Sequence, residues 1–249
     1  MRYKHLLLIV SLLIPSLGIS AKQMKFSTLT GMYVANICSE VLVEAYQNIG
    51  ITIEIEKVPA KRSIILSNSG RVDGEVVRIK GAEKNYPNLV RVKSQICSTA
   101  SRVYVKDKKF KLNGWESLRP YKIGIIRGHL YAEKGTQGMD VTTVNSNDLL
   151  FKMLDRGRVD VVIAQIPDAL HAISELKIQG IEGLDPIVKS MQLYHYLHKK
   201  NSDLLPKIEA AIDKMESDGR IASIEEAYIN KLKEKVAVAL ETPVLLKDE

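Results

Sequence analysis

The order of apolar and polar positions changes period along the chain. Residues 24–29 read as a first strand and Thr30-Gly31 as a turn. Val34, Cys38, Val41, Leu42, Ala45 and Ile49 then fall on one face at helical spacing, and Gly50 stops the run. Ile51-Thr-Ile-Glu-Ile-Glu56 alternates apolar and polar, the signature of a half-buried strand. Pro59 opens a helix carrying Ile64, Ile65 and Leu66 that ends near Gly70, and residues 72–79 form the next strand. The order β-α-β-α-β predicts a parallel sheet with helices on its faces.

After a turn at residues 85–88, residues 89–92 and 96–105 are extended and rich in β-branched side chains. The polar residues 106–113 are expected to connect two lobes. Residues 121–126 begin a second βα series, with Arg127-Gly128-His129 as the turn at its carboxyl end. A short strand (141–144), a helical face of Leu149, Leu150, Met153 and Leu154, and a strand at 159–164 follow. Pro167 sits near the start of a helix through Ile173, and residues 187–197 return as an extended segment. Two amphipathic helices close the pattern, one lined by Leu204, Leu205, Ile208, Ala211, Ile212 and Met215, the other by Ile221, Ile224, Ala227, Tyr228 and Leu232. The last dozen residues lack a clear period and are expected to fray.

One unit recurs. Gly70-Arg-Val-Asp73 is repeated letter for letter as Gly157-Arg-Val-Asp160, each copy following a helical segment and leading into a β-branched run. A duplicated helix–Gly–Asp–strand unit predicts two similar α/β lobes. The chain is expected to cross between them near residues 104 and 195. That makes lobe one residues 22–104 with 196–249, lobe two residues 105–195, and the two crossings a hinge.

Apolar content of 45% and charged content of 26% belong to a soluble globular protein of 249 residues. The formal charge is +7; the first 21 residues carry Arg2 and Lys4 and no acid, so the rest carries +5. Cations and acids are interspersed, and no basic stripe with interleaved aromatics appears, which argues against a nucleic-acid partner. Arg2 and Lys4 precede the apolar residues 6–14, then Pro15 and the small-residue end Gly18-Ile-Ser-Ala21. This is the layout of a cleavable signal peptide, too short to span a bilayer. Export to the periplasm is therefore expected. No cysteine follows the apolar run, so no lipoprotein anchor is expected.

Cys38 and Cys97 are the cysteines of the chain. In an oxidising compartment they are either bridged or two separate buried thiols. Neither lies in a redox motif. His195 and His198, three apart in an extended segment, point to opposite faces and do not suit one metal. No metal or cofactor is expected, and no HExxH, GxSxG or phosphate-cradling loop occurs.

In the order and spacing of these pieces the sequence resembles the periplasmic solute-binding proteins of family 3, the polar-amino-acid type with the type-2 periplasmic binding fold. The resemblance rests on the amino-terminal segment, Pro59-Ala-Lys-Arg62-Ser63, and Gly70 through Arg78. It continues through Lys122-Ile-Gly-Ile-Ile-Arg-Gly128, Leu154 through Asp160, and His198 through Leu204 leading to Gly219. It implies a two-lobed α/β fold, mostly parallel sheets with helices on both faces, and two hinge crossovers. It implies a small solute bound between the lobes and a membrane permease or sensor that reads the closed form. Three departures bear on the ligand. The turn that carries a carboxylate-gripping arginine in such proteins is Ala82-Glu83-Lys84-Asn85 here. The Gly-Thr-Thr-like turn is Gly128-His129-Leu130, and the aspartate that meets an α-amino group is Gln165.

Ligands of open parallel sheets bind beyond the carboxyl ends of the strands. Arg78 ends its strand and is the first candidate to hold a carboxylate bidentately; the alternative is an intralobe salt bridge to Glu75. Arg62, at a helix start, is the second. Arg127, His129 and Gln165 are expected to meet the solute from lobe two, with exposed loop polarity the alternative for Arg127 and His129. Tyr33 and Tyr131 offer stacking faces or are packed rim residues. Asp73 and Asp160 are expected to brace strand starts, and Glu75 is a lesser candidate to approach a cation. These residues predict a non-catalytic binder of a small polar, carboxylate-bearing solute, and the resemblance implies a monomer that serves an ABC-type transporter. The alternatives are an enzyme on the same fold, such as a small-molecule dehydratase, or a sensory ligand-binding module.

Overall fold

A computed structural model describes residues 23–241. The expected signal peptide and the final residues of the tail lie outside these. The elements in chain order are β1 (Gln23–Leu29), α1 (Tyr33–Gln47), β2 (Thr52–Val58), α2 (Ala60–Asn68), β3 (Gly74–Ile79) and β4 (Leu89–Lys106). Then come β5 (Ile123–Ile126), α3 (Leu130–Gly135), β6 (Val141–Val144), α4 (Asn147–Asp155), β7 (Val161–Gln165) and α5 (Ile166–Leu176). The chain continues with β8 (Ile181–His198), α6 (Leu205–Ser217) and α7 (Arg220–Glu241).

The strands form one eight-stranded sheet in the order β2-β1-β3-β8-β4-β7-β5-β6. At one end β2, β1 and β3 are parallel; at the other β7, β5 and β6 are parallel. Between them the antiparallel pair β4 and β8, 18 residues each, runs through both halves. The crossing is thus made by strands. The polar residues 107–113 lie beyond β4, inside the second half, where Phe110 and Leu112 pack into its core. A strand this long reaches on the order of 60 Å, so a separate linker is unnecessary.

Each half has its own core. The first gathers Met24, Phe26, Val41, Leu42, Val76 and Ile96 with Ile208, Ile212 and Met215 of α6. The second lies on both faces of its strands. Tyr104, Leu150, Phe151 and Val162 pack under α4 and α5, while Val103, Leu118, Ile125 and Ile163 pack on the opposite face. α7 starts in the first core with Ile221 and Ile224 and reaches the second at Val236. Cys38 of α1 and Cys97 of β4 form a disulfide with a Cα–Cα distance of 5.4 Å, which settles the alternatives open in the sequence.

The repeated unit does the same job twice. Gly70 and Gly157 have φ of 73° and 63°, the left-handed conformation that ends a helix and suits glycine. Then Asp73 takes the Lys25 N–H on Oδ2 at 2.9 Å, and Asp160 takes the Lys122 N–H at 2.9 Å. Both aspartates brace strand starts, as expected. α2 departs from its pattern: it buries Ser63, Ile64 and Ser67, while Ile65 is 50% exposed. The reason lies beneath it, where β3 presents a carboxylate.

Candidate functional site

That carboxylate is Glu75, fully buried as the second residue of β3. Ser63 Oγ donates to its oxygens at 2.7 and 2.8 Å, Ser67 Oγ at 2.7 Å and Ser27 Oγ at 3.2 Å. Arg78 Nε donates at 2.8 Å and its Nη2 lies 2.7 Å from the same oxygen, while Nη2 also reaches the Ala60 carbonyl at 2.7 Å. Burial raises the Glu75 carboxyl; Arg78 and the serines pull against that. Arg78 is therefore engaged inside its own half, the alternative that its spacing to Glu75 left open.

His195 is also fully buried, edge-on to Phe26. Its Nδ1 lies 2.8 Å from the Glu75 carbonyl, an acceptor only, so Nδ1 carries the proton. Nε2 then accepts from Tyr46 Oη at 3.0 Å, and burial pushes the imidazole down to about 4. His198 instead accepts from the Lys200 N–H, at the start of the turn after β8. Among the described residues no group of three or more His, Cys, Asp and Glu side chains is placed to hold a metal ion.

The two halves meet where α1 and α5 begin. Tyr33, the first residue of α1, gives its N–H to Asp168 Oδ1 at 2.8 Å. Its ring stacks on His171 with centroids 3.7 Å apart, and its hydroxyl bonds His171 Nε2. Gln165 is the residue that opens α5, followed by Pro167 and Asp168 in the first turn. Asp168 is 1% exposed, and burial pushes its carboxyl up to about 7 against the opposing Tyr33 N–H.

Among the described residues, the buried polar atoms without a hydrogen-bond partner include Asp168 Oδ2, Gln165 Oε1, Thr28 Oγ1, Thr99 Oγ1 and His129 Nδ1, together with Arg91 Nε, Gln95 Oε1, Arg102 Nε and Asn147 Oδ1. Thr28 lies near the end of β1, Thr99 is on β4, Gln165 ends β7, and His129 precedes α3. Ser101, paired in register with Gln165, bonds Tyr131 Oη at 2.9 Å, and the His129 ring lies 5.7 Å from that of Tyr131. Burial lowers the His129 imidazole and pushes the Tyr131 hydroxyl up to about 12. Unpaired buried polar atoms are costly, and here they come from elements of both halves.

The structure sets Tyr33 and Gln165 at the starts of α1 and α5 where the halves meet, joins Tyr131, with His129 beside it, to Ser101 opposite Gln165, and keeps Glu75 with Arg78 inside the first half. It leaves two arginines outside. Arg62 is exposed on α2 and lines a depression of about 470 Å³ with Pro59, Lys61, Ile65, Leu66 and Arg71. Arg127 is exposed and bonds Asn145 Oδ1 at 3.2 Å. Sequence reasoning missed Asp168, His171, Thr28, Thr99 and Ser101. Asp168 left one signal, an acid just after a helix-opening proline, but that reads as an ordinary helix start.

No protein-family model matches the chain. An uncharacterized protein of Shewanella oneidensis is 27% identical over 190 residues, covering 72% of this chain and 70% of the relative. Among solved structures the chain is similar to the GluR0 ligand-binding core complex with L-glutamate, with a TM-score of 0.70 at 14% identity over 84% of this chain and 99% of that one. It is similar to a histidine kinase sensor domain with similarity to periplasmic binding proteins, with a TM-score of 0.66 at 15% identity over 84% and 96%. An ancestral arginine-binding protein bound to arginine gives a TM-score of 0.65 at 19% identity over 83% and 97%. The fold is the two-lobed α/β fold of periplasmic-binding-protein-like domains, as the sequence resemblance implied.

Proposed function

We propose that this chain is an exported solute-binding protein that takes a small polar solute into the seam between its halves and presents the closed form to a membrane partner. One observation carries the reading: both halves bury polar atoms without partners, Thr28 Oγ1 in the first and Gln165 Oε1 and Asp168 Oδ2 in the second, and Asp168 bonds Tyr33 across the junction. Their carriers sit on strands and helix starts, which hold them in place before a solute arrives. Closure by rotation about β4 and β8 brings His129 and Gln165 against the solute while Tyr33 covers it. A carboxylate on the solute would meet the Nη1 edge of Arg78, the part of the fork not spent on Glu75 and Ala60. Arg62 and Arg127 serve at the rim or with the partner.

The partner is a permease of the ABC type or a sensor. The likeness to a sensor domain and to an amino-acid binder supports both roles equally. A broad thermal-shift panel, with native mass spectrometry of protein purified from its own periplasm, tests the reading. A co-purified solute and a raised melting temperature are expected. Failure of every small molecule to stabilise the protein overturns it.

A further inference from the structure

α2 buries its serines and exposes an isoleucine. Ser63 and Ser67 face inward, where both bond the Glu75 carboxylate, with Ile64 buried beside them. With that face committed to Glu75, the outward face is left with Ile65 and Leu66, the reverse of the usual amphipathic order. Ile65 is 50% exposed and Leu66 is half-buried. One turn earlier on the same rows stand Lys61 and Arg62, both exposed. Together with Pro59 and Arg71 these side chains line the depression of about 470 Å³ noted above, and no acidic residue lines it.

Several features separate this depression from an ordinary solvated face. Lys61 and Arg62 occupy the first turn of α2, where the helix dipole disfavours cations, and no acid in that turn offsets them. Among the described residues none of Lys61, Arg62 and Arg71 takes part in an ion pair. The surface is also held in place from beneath, by Ser63 and Ser67 on Glu75 and by Arg78 Nη2, which donates to the Ala60 carbonyl at 2.7 Å. A fixed concavity with apolar walls and uncompensated positive charge complements carboxylates that have an apolar neighbour. A flat bilayer or a small inorganic anion neutralises the cations but leaves the concavity unfilled. A peptide side chain fills it.

We propose that the outward face of α2, with Arg71, is a docking surface for the membrane partner, and that it takes an acidic segment of that partner carrying an apolar side chain. Carboxylates of the segment pair with Lys61, Arg62 and Arg71, and the apolar side chain covers Ile65 and Leu66. This rests on the reading of the chain as a binder that works with a membrane partner. It adds where that partner is met and by what chemistry, and it uses neither the seam nor the identity of the solute.

The test has two arms. In the first, a short fluorescent peptide of glutamate and leucine is titrated onto the mature protein by polarisation, beside a version with lysine for glutamate. The glutamate peptide is expected to bind wild type, and about tenfold more weakly Lys61→Glu or Arg71→Glu. The lysine peptide is expected to bind only the double variant Lys61→Glu with Arg71→Glu, a charge swap that misfolding cannot produce. In the second arm a photocrosslinking residue replaces Ile65 in cells, and the product is mapped by mass spectrometry. The expected product joins Ile65 to an acidic segment of an integral membrane protein and is lost in the double variant. A glutamate peptide that fails to bind wild type, or that binds the double variant equally well, overturns the proposal. So does a crosslink to a second copy of this chain, to lipid or to nothing. A solute found in the thermal-shift panel without docking leaves the solute-binding reading standing alone. Docking in both arms while no small molecule stabilises the protein overturns that reading and leaves the surface standing.

Discussion

Asp73 holds Lys25 from both sides of the peptide backbone: the Lys25 N–H donates to Asp73 Oδ2 at 2.9 Å, and the Asp73 N–H donates to the Lys25 carbonyl at 2.6 Å. Asp160 and Lys122 repeat this at 2.9 and 2.8 Å in the second half. The duplicated Gly-Arg-Val-Asp unit is thus a clamp that sets β3 beside β1 and β7 beside β5. Burial acts to raise the Asp73 carboxyl, but bonds from Lys25, Lys200 and Asn201 outweigh it and hold the group below its usual range. Asp73→Ala is expected to cost about 2 kcal/mol at neutral pH. The clamp's contribution is present above the ordinary carboxylate pKa and lost as pH falls through the lowered one. Urea denaturation checks this; an unchanged midpoint contradicts the role.

The Cys38–Cys97 bridge ties α1 to β4 inside the first core, across a separation of 59 residues. In the chain-entropy model a loop of that size contributes about 4 kcal/mol. The double variant Cys38→Ser with Cys97→Ser is therefore expected to melt well below the oxidised protein. Wild type in reductant should follow it, and calorimetry with and without reductant decides.

Removing the Arg78 side chain leaves the Glu75 carboxylate buried without its cation. Arg78→Ala is expected to lose about 3 kcal/mol in the ligand-free protein, before any solute is considered. Glu75→Gln, which removes the charge that needs pairing, should cost less. If chemical denaturation shows Arg78→Ala as stable as wild type, the internal pair is not what Arg78 is for.

Two buried groups give opposite pH dependences. The His195 imidazole, pushed from 6.5 to about 4, stays neutral when folded, whereas the unfolded chain takes up a proton below 6.5. Its contribution is full above that value and falls by about 3 kcal/mol as pH drops toward 4. Asp168, pushed up from 3.8 to about 7, keeps its proton when folded. Its contribution is therefore present at low pH and lost as pH rises from about 4 through 7. The two partly cancel in wild type. Denaturation across pH 4 to 8 is expected to show a shallower acid loss in His195→Gln and a steeper one in Asp168→Asn.

What the sequence determined by itself is local. Helices α1, α4, α6 and α7, the parallel strands and the positions of Asp73 and Asp160 follow from periodicity, glycine stops and a visible repeat, because those signals act within a few residues. Even so, α2 was misread on its buried face: Ser63 and Ser67 look like solvent-side residues until Glu75 of β3 is set under them. Only the tertiary structure decided how the halves join. The single strands β4 and β8 replace an expected linker, since neither the gap after residue 92 nor the late start near residue 187 looks continuous without its partner strand. The seam belongs to the same class. Tyr33 and Asp168 are 135 residues apart, and nothing near either one names the other. A hydrogen-bond partner depends on where the chain returns in space, and local pattern carries no record of that. The sequence could nominate Arg78 by its place at a strand end; burial and a carboxylate three residues away decided what its guanidinium holds.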